Sequence, residues 1–283
     1  PVAPPAEAFP VNPPASATIN CDQVPPAGVV PPLMYSNGGS GLCLIEGMMN
    51  GTRLDEIVNC AGRVTFTWTA TDPCGRTINH IQILTVLPPP VVTLTNPPVY
   101  TTPITCADAS TFVAPVIAYS NNSPCLVEGT LNPVVTNNYN ACGGNIQISW
   151  NGTDMCNRPV TYNQIIIVQP APPPAFTSTL PQDITVDCSN LSIYAIPLNY
   201  SNGLNNTCGI MGTVQGVLNQ STTICGGTAT VRRNVTDACG NNLTHVQNIT
   251  VNPAPQASFV NPPPPTSTVA CGGLPFQLPT LSY

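Results

Sequence analysis

Charge is what this sequence has least of. Only 6% of its 283 residues are Asp, Glu, Lys or Arg, lysine is absent, and the six arginines (Arg53, Arg63, Arg76, Arg158, Arg232, Arg233) form no basic stripe. With a formal net charge of −6, the chain is a poor match for nucleic acid, whose phosphates select clustered cations. Long apolar runs are missing too. Pro, Thr or Asn interrupts every hydrophobic stretch before the roughly 18 residues a membrane-spanning helix needs. There is no Cys-x-x-Cys pair, and the only histidines are His80 and His245, which argues against zinc ribbons and fingers. No GxSxG elbow, HExxH run or paired-carboxylate arrangement occurs, so neither an enzyme nor a cofactor is expected.

Cysteine and proline are abundant, at 13 and 35 residues. Cysteine at that density without metal-binding spacing belongs to an oxidising, extracellular setting. The cysteines also measure out a repeat: Cys21, Cys106, Cys188 and Cys271 follow one another at steps of 85, 82 and 83. The sets Cys43, Cys125, Cys208; Cys60, Cys142, Cys225; and Cys74, Cys156, Cys239 each step by 82 and then 83. Tyr-Ser-Asn recurs at Tyr35, Tyr119 and Tyr200, and Tyr283 falls in the equivalent place. The expected repeats are 1–88, 89–170 and 171–252, with 253–283 the start of a fourth, so the sequence reads as a piece of a longer tandem array in which Cys271 lacks a partner. Pro-rich joins (Leu87–Pro90, Gln169–Pro174, Asn252–Pro255) separate the repeats as stiff spacers.

Each repeat reads as strands. Cys60-Ala61-Gly62 leads into an alternation of Val64, Phe66, Trp68 and Ala70 with threonines, ending at Asp72-Pro73-Cys74-Gly75. Further strands are expected at Ile184–Val186, Leu191–Tyr200, Gly212–Leu218 and Thr244–Val251, the last with counterparts Asn79–Val86 and Thr161–Val168. Alternation with frequent turns predicts an all-β protein of tandem immunoglobulin-like antiparallel β-sandwiches, each of about 82 residues with two disulfides. The Cys60–Cys74 stretch is too long for its flanking cysteines to meet, since a strand advances about 3.3 Å per residue and a disulfide needs Cα atoms within about 7 Å. Strand direction instead puts the first and third cysteines at one end and the second and fourth at the other. The expected bonds are therefore Cys21–Cys60, Cys43–Cys74, Cys106–Cys142, Cys125–Cys156, Cys188–Cys225 and Cys208–Cys239.

Asp72, Asp154 and Asp237 share one turn position; with no second recurring acid nearby, they read as turn caps rather than calcium ligands. His80 and His245 align with Tyr162, an exchange that argues against a metal or a catalytic base. Trp68 and Trp150 alternate into the core face. If exposed, they and Tyr35, Tyr119 and Tyr200 would be the candidate ligand contacts. Arg233, in the tryptophan position of the third copy, is expected to extend over the core to water unless that face is open.

The set Cys-Gly-Gly, Trp-Thr-Ala-Thr-Asp-x-Cys-Gly, Gln-x-Ile-x-Val and a Pro-rich join resembles the HYR-like or Ig-like repeats of giant secreted adhesins of Bacteroidota, above all the SprB-type gliding-motility adhesins of flavobacteria. Met155-Cys156-Asn157 and Arg233 depart from that pattern. The resemblance implies type IX secretion, display as an outer-membrane-attached extracellular filament, and gliding. The partners it implies are neighbouring repeats and, through regions outside this sequence, a surface polysaccharide or other adhesion target. The alternatives are a glycan-binding module and a noncatalytic spacer of a secreted polysaccharide-degrading enzyme.

Overall fold

Three copies of the Cys-flanked alternation form the central strands of the fold: Ala61–Thr71, Gly143–Thr153 and Gly226–Thr236. Side chains two residues apart share a face of a strand. Val64, Phe66 and Trp68, Ile146, Ile148 and Trp150, and Ala229, Val231 and Arg233 are accordingly all buried. In this computed structural model the described residues are 7–28, 30–188, 190–260, 262, 266, 268 and 280–282; Cys271 and Tyr283 lie outside them.

The architecture is all-β, as the alternation predicts. Each central strand lies between an outer strand (Glu46–Val58, Pro133–Asn140, Val217–Thr223) and a closing strand (Thr77–Val86, Pro159–Val168, Asn242–Val251). A second sheet is built from Leu33–Ser36 with residues 46–49 of the outer strand, and likewise from Ile117–Ser120 with Glu128–Leu131 and Leu198–Ser201 with Met211–Val214. In the first repeat the outer strand is continuous: residues 46–49 pair in the second sheet and residues 50–58 in the first. By contact the chain divides into two compact units. One runs to Ile104 and adds Thr111–Tyr139 and Gly144–Val168; the other holds Thr105–Ser110, Asn140–Gly143 and Gln169 onward.

Several strand expectations need correction. Leu191–Tyr200 is not one strand but a 3-10 turn, Leu191–Tyr194, followed by the strand Leu198–Ser201. Pro197 explains the break, because proline has no N–H for a ladder and restricts the residue before it. Gly212–Leu218 is split at Gln215-Gly216, where a Cβ on Gly216 would lie 2.7 Å from Val231 Cγ1. The sandwich is not wholly antiparallel: Ala17–Ile19 and Ile184–Val186 pair parallel with their closing strands, and Ile104 makes the same parallel bridge to Val168. Closing strands begin two residues earlier than the alternation marks.

Arg233 also departs from expectation. It reaches no water, being 0% exposed. The indoles of Trp68 and Trp150 donate to the Pro31 and Pro115 carbonyls, both at 2.8 Å, and Arg233 serves the same structural role with Nε to Ile196 O (2.9 Å) and Nη2 to Tyr194 O (2.8 Å). Its Nη1 is buried without a hydrogen-bond partner among the described residues, and burial lowers its pKa. A buried donor left unmade costs about 1–3 kcal/mol. Arg233→Trp should therefore stabilise the third repeat by about 1–3 kcal/mol, read as a rise in its calorimetric transition; a lowered transition would show that the guanidinium fits this site better than an indole does.

Candidate functional site: the junction between successive repeats

Among the described residues no cysteine pairs within its own repeat. The bonds are Cys21–Cys125 and Cys60–Cys156, inside the first unit, and Cys106–Cys208 and Cys142–Cys239, inside the second, with Cα separations of 5.9, 5.2, 5.8 and 5.1 Å. A first-position cysteine thus bonds the second position of the next repeat, and a third-position cysteine bonds the fourth. Cys43, Cys74, Cys188 and Cys225 are unbonded and exposed.

Strand order explains why all six expected bonds fail. Ile19, two residues before Cys21, pairs with Val86, and Val86 pairs on its other side with Gly62, two residues after Cys60. The closing strand therefore stands between the first and third cysteines. The same interposition occurs at Ile104, Val168 and Gly144, and at Val186, Val251 and Gly227. Two strand spacings are about 9–10 Å, beyond the roughly 7 Å a disulfide spans. At the opposite end, the second cysteine lies in the loop between the two strands of the second sheet, as Cys43 does between Leu33–Ser36 and Glu46–Val58, while the fourth sits on the hairpin that joins the central and closing strands of the first, and packed sheets stand about 10 Å apart. Each end therefore offers two cysteines that cannot reach each other. Each bond closes a loop of 96 to 104 residues, where the chain-entropy model gives about 4–5 kcal/mol for a single bond.

Local sequence holds each cysteine in place. The third position is a hairpin tip. In the first repeat Asn59 and Cys60 take positive φ (52° and 65°) in a two-residue turn; in the others Cys-Gly-Gly puts the positive φ on Gly143 (91°) and Gly226 (87°). The second position hangs from the asparagine of Tyr-Ser-Asn. Asn121 Nδ2 donates to Cys125 O (2.8 Å), while its Oδ1 accepts from Val127 N (3.0 Å); Asn37 and Asn202 bind Cys43 and Cys208 in the same way. Sequence alone marks the motif but assigns it to ligand contact. Its recurrence before every second-position cysteine is the signal that points to its role. Tyr35 and Tyr119 are buried and Tyr200 half-buried, and each ring covers a glycine (Gly47, Gly129, Gly212) with no room for a Cβ. Trp68 and Trp150, at 1% and 0% exposure, likewise present no face to a ligand.

The fourth cysteine sits in the aspartate turn, and the carboxylate caps backbone amides as expected. Asp154 Oδ1 accepts from Cys156 N and Arg158 N (both 2.9 Å), and Oδ2 accepts from Arg158 Nε (2.7 Å). Arg158 then donates through Nη1 to Pro89 O (2.7 Å) and Nη2 to Pro90 O (3.2 Å), so the turn also grips the Pro-rich join. Asp72 pairs with Arg76 in the same way, and Asp237 with Asn241. Ala171 N donates to Ala141 O (2.8 Å), clipping the following join to the hairpin tip that carries Cys142. A cleft of about 390 Å³ lies beside Cys21, Cys60 and Cys125, walled by Val24, Leu126 and Met155. His80, His245 and Tyr162 share one role: their polar atoms meet Pro14, Pro181 and Pro98 carbonyls at 2.8, 3.1 and 2.8 Å. Among the described residues no cluster of three or more His, Cys, Asp or Glu could hold a metal, and no helix is long and apolar enough to cross a membrane.

All three turn carboxyls are held below the usual aspartate range. The Arg76 N–H bond is the main cause for Asp72 and the Asn241 side chain for Asp237; for Asp154, burial opposes ionisation but the Arg158 and Cys156 hydrogen bonds outweigh it. A depressed folded pKa contributes stability above the unfolded value of about 3.9, lost as pH falls through the folded one. The melting temperature should accordingly decline steeply only below about pH 4. Asp154→Asn should melt lower at neutral pH and decline less on acidification; a decline as steep as that of the parent chain would place the acid sensitivity elsewhere.

No protein-family profile matches this sequence, and no curated protein matches it. Solved structures that overlap it include protocadherin gamma B2 extracellular cadherin domains 1–5 (TM-score 0.33, 10% identity, 89% of this chain and 61% of that one). Others are the protocadherin gammaB4 extracellular domain (0.34, 10%, 91% and 52%) and Sidekick-1 immunoglobulin domains 1–4 (0.21, 8%, 87% and 76%). This chain thus spans about three fifths of the first of these; at such overlap the likeness fixes neither an arrangement nor a function.

Proposed function

We propose that this chain is a tension-bearing stretch of the stalk of a secreted cell-surface adhesin, without catalysis or cofactor. The observation that carries this reading is the covalent path through the disulfides. The segments from Cys60 to Cys74, from Cys142 to Cys156 and from Cys225 to Cys239 are equal in length, and each encloses a central strand. The bonds Cys60–Cys156 and Cys142–Cys239 join these strands into one covalent line. Tension passes along that short segment of each repeat instead of the whole repeat, in strands already extended at about 3.3 Å per residue. A second line, through Cys21–Cys125 and Cys106–Cys208, braces the first.

The repeat resemblance supports the finer reading: type IX export, attachment to the outer membrane, and gliding, with the adhesion target engaged by regions outside this chain. Burial of both tryptophans weighs against the glycan-binding alternative.

Single-molecule pulling tests the load path. From Cys60 to Cys239 the backbone, fully extended at about 3.5 Å per residue, spans about 630 Å. The bonded path instead crosses Cys60–Cys156, follows the chain only from Cys156 back to Cys142 through the central strand, and crosses Cys142–Cys239. Extended in the same way, with the two bonds, it spans about 60 Å. The oxidised chain should release almost no length between Cys60 and Cys239, and the reduced chain several hundred ångströms; release of several hundred ångströms by the oxidised chain would contradict the proposal.

A further inference from the structure

Asparagine followed by glycine is the pair most open to spontaneous deamidation, because a glycine N–H meets no side chain on its way to the neighbouring amide carbon. The sequence holds four such pairs: Asn37-Gly38, Asn50-Gly51, Asn151-Gly152 and Asn202-Gly203. Asn50 and Asn151 lie inside paired strands. Asn37 and Asn202 lie in the loop that carries the second cysteine, and there the fold demands the hazard. Gly38 and Gly203 take φ of 65° and 79°, a region that glycine enters freely and most other residues rarely. The second repeat meets the same demand with Asn122 (φ 47°).

We infer that Asn37 and Asn202 are latent deamidation sites, and that the serine of Tyr-Ser-Asn is the guard that keeps them intact. The bonds that hold the cysteine also polarise the asparagine amide. Asn37 Oδ1 accepts from Gly39 N and Ile45 N, both at 3.0 Å, and Asn202 Oδ1 from Leu204 N (3.1 Å) and Ile210 N (3.0 Å). Two N–H donors on one carbonyl oxygen stabilise the oxyanion that forms when its carbon is attacked. What is withheld is the nucleophile. Gly38 N donates to Ser36 Oγ (3.1 Å) and Gly203 N to Ser201 Oγ (3.0 Å), as Asn122 N does to Ser120 Oγ (3.1 Å). Each serine thus ties back the one N–H that could attack the asparagine Cγ.

Once released, the glycine nitrogen loses its proton and bonds to Cγ, and Nδ2 takes up a proton and leaves as ammonia. Water then opens the succinimide to aspartate or isoaspartate. Either product lacks the N–H donor that binds Cys43 O or Cys208 O, both at 2.8 Å, and sets a carboxylate against that carbonyl. The loop that presents the second cysteine thereby loses its anchor. The inference rests on this loop and not on the stalk reading.

The test incubates the full oxidised chain, its Ser36→Ala/Ser201→Ala variant and its Ser36→Thr/Ser201→Thr variant at mildly alkaline pH. Peptide mass spectrometry follows aspartate and isoaspartate, and hydrogen exchange at the Ile45 and Ile210 N–H groups, which bond the two asparagines, reports whether the loops stay closed. In the alanine variant deamidation at Asn37 and Asn202 should rise about two- to tenfold, the rate equivalent of one hydrogen bond, with exchange at Ile45 and Ile210 unchanged. The threonine variant keeps the hydroxyl and should match the parent chain, and Asn50 and Asn151 should not respond. Equal rates in the parent and the alanine variant, a rise matched by equally faster exchange, a threonine variant as fast as the alanine one, or an equal rise at Asn50 and Asn151 would each overturn the inference.

Discussion

On each end of a repeat, two cysteines stand one strand or one sheet too far apart to bond with each other. At one end the closing strand lies between them, as at Ile19, Val86 and Gly62. At the other they belong to different sheets. Neither can be satisfied inside its own repeat, so oxidation drives them into the neighbour. Because both faces hold their cysteines at about the same 10 Å spacing, two bonds form side by side. A pair of parallel bonds resists swivelling in a way a single bond does not.

The rest of the repeat serves that arrangement. The asparagine of Tyr-Ser-Asn and the turn aspartate hold the second and fourth cysteines, and the hairpin tip carries the third. Arg158 and the clipped Ala171 tie the Pro-rich joins to the same loops. The joins are thereby parts of the junction and not free spacers. The core is correspondingly modest, one inner face per sheet, and small domains of this size depend on such covalent support.

Much of this is legible in the sequence. The period, the all-β alternation, the turn aspartates and the sorting of cysteines to opposite ends all follow from spacing. The pairing does not, because it depends on a short edge strand, Ala17–Ile19 or Ile184–Val186, lying parallel against the closing strand, and the residue pattern that marks such a strand does not show where it pairs. Arg233 misleads for a related reason. Composition says a guanidinium seeks water, but the carbonyls of Tyr194 and Ile196 stand where an indole N–H is met in the other repeats. The exchange of His80 and His245 for Tyr162 becomes intelligible once each is seen to meet a proline carbonyl, a demand either ring can satisfy.

Among the described residues, covalent bonds run between repeats and never within them, and the load path proposed for the chain depends on that. Non-reducing peptide mapping of the oxidised chain tests this directly. The predicted result is recovery of Cys21 linked to Cys125, Cys60 to Cys156, Cys106 to Cys208 and Cys142 to Cys239; Cys21 linked to Cys60, Cys106 to Cys142, or Cys125 to Cys156 would contradict it.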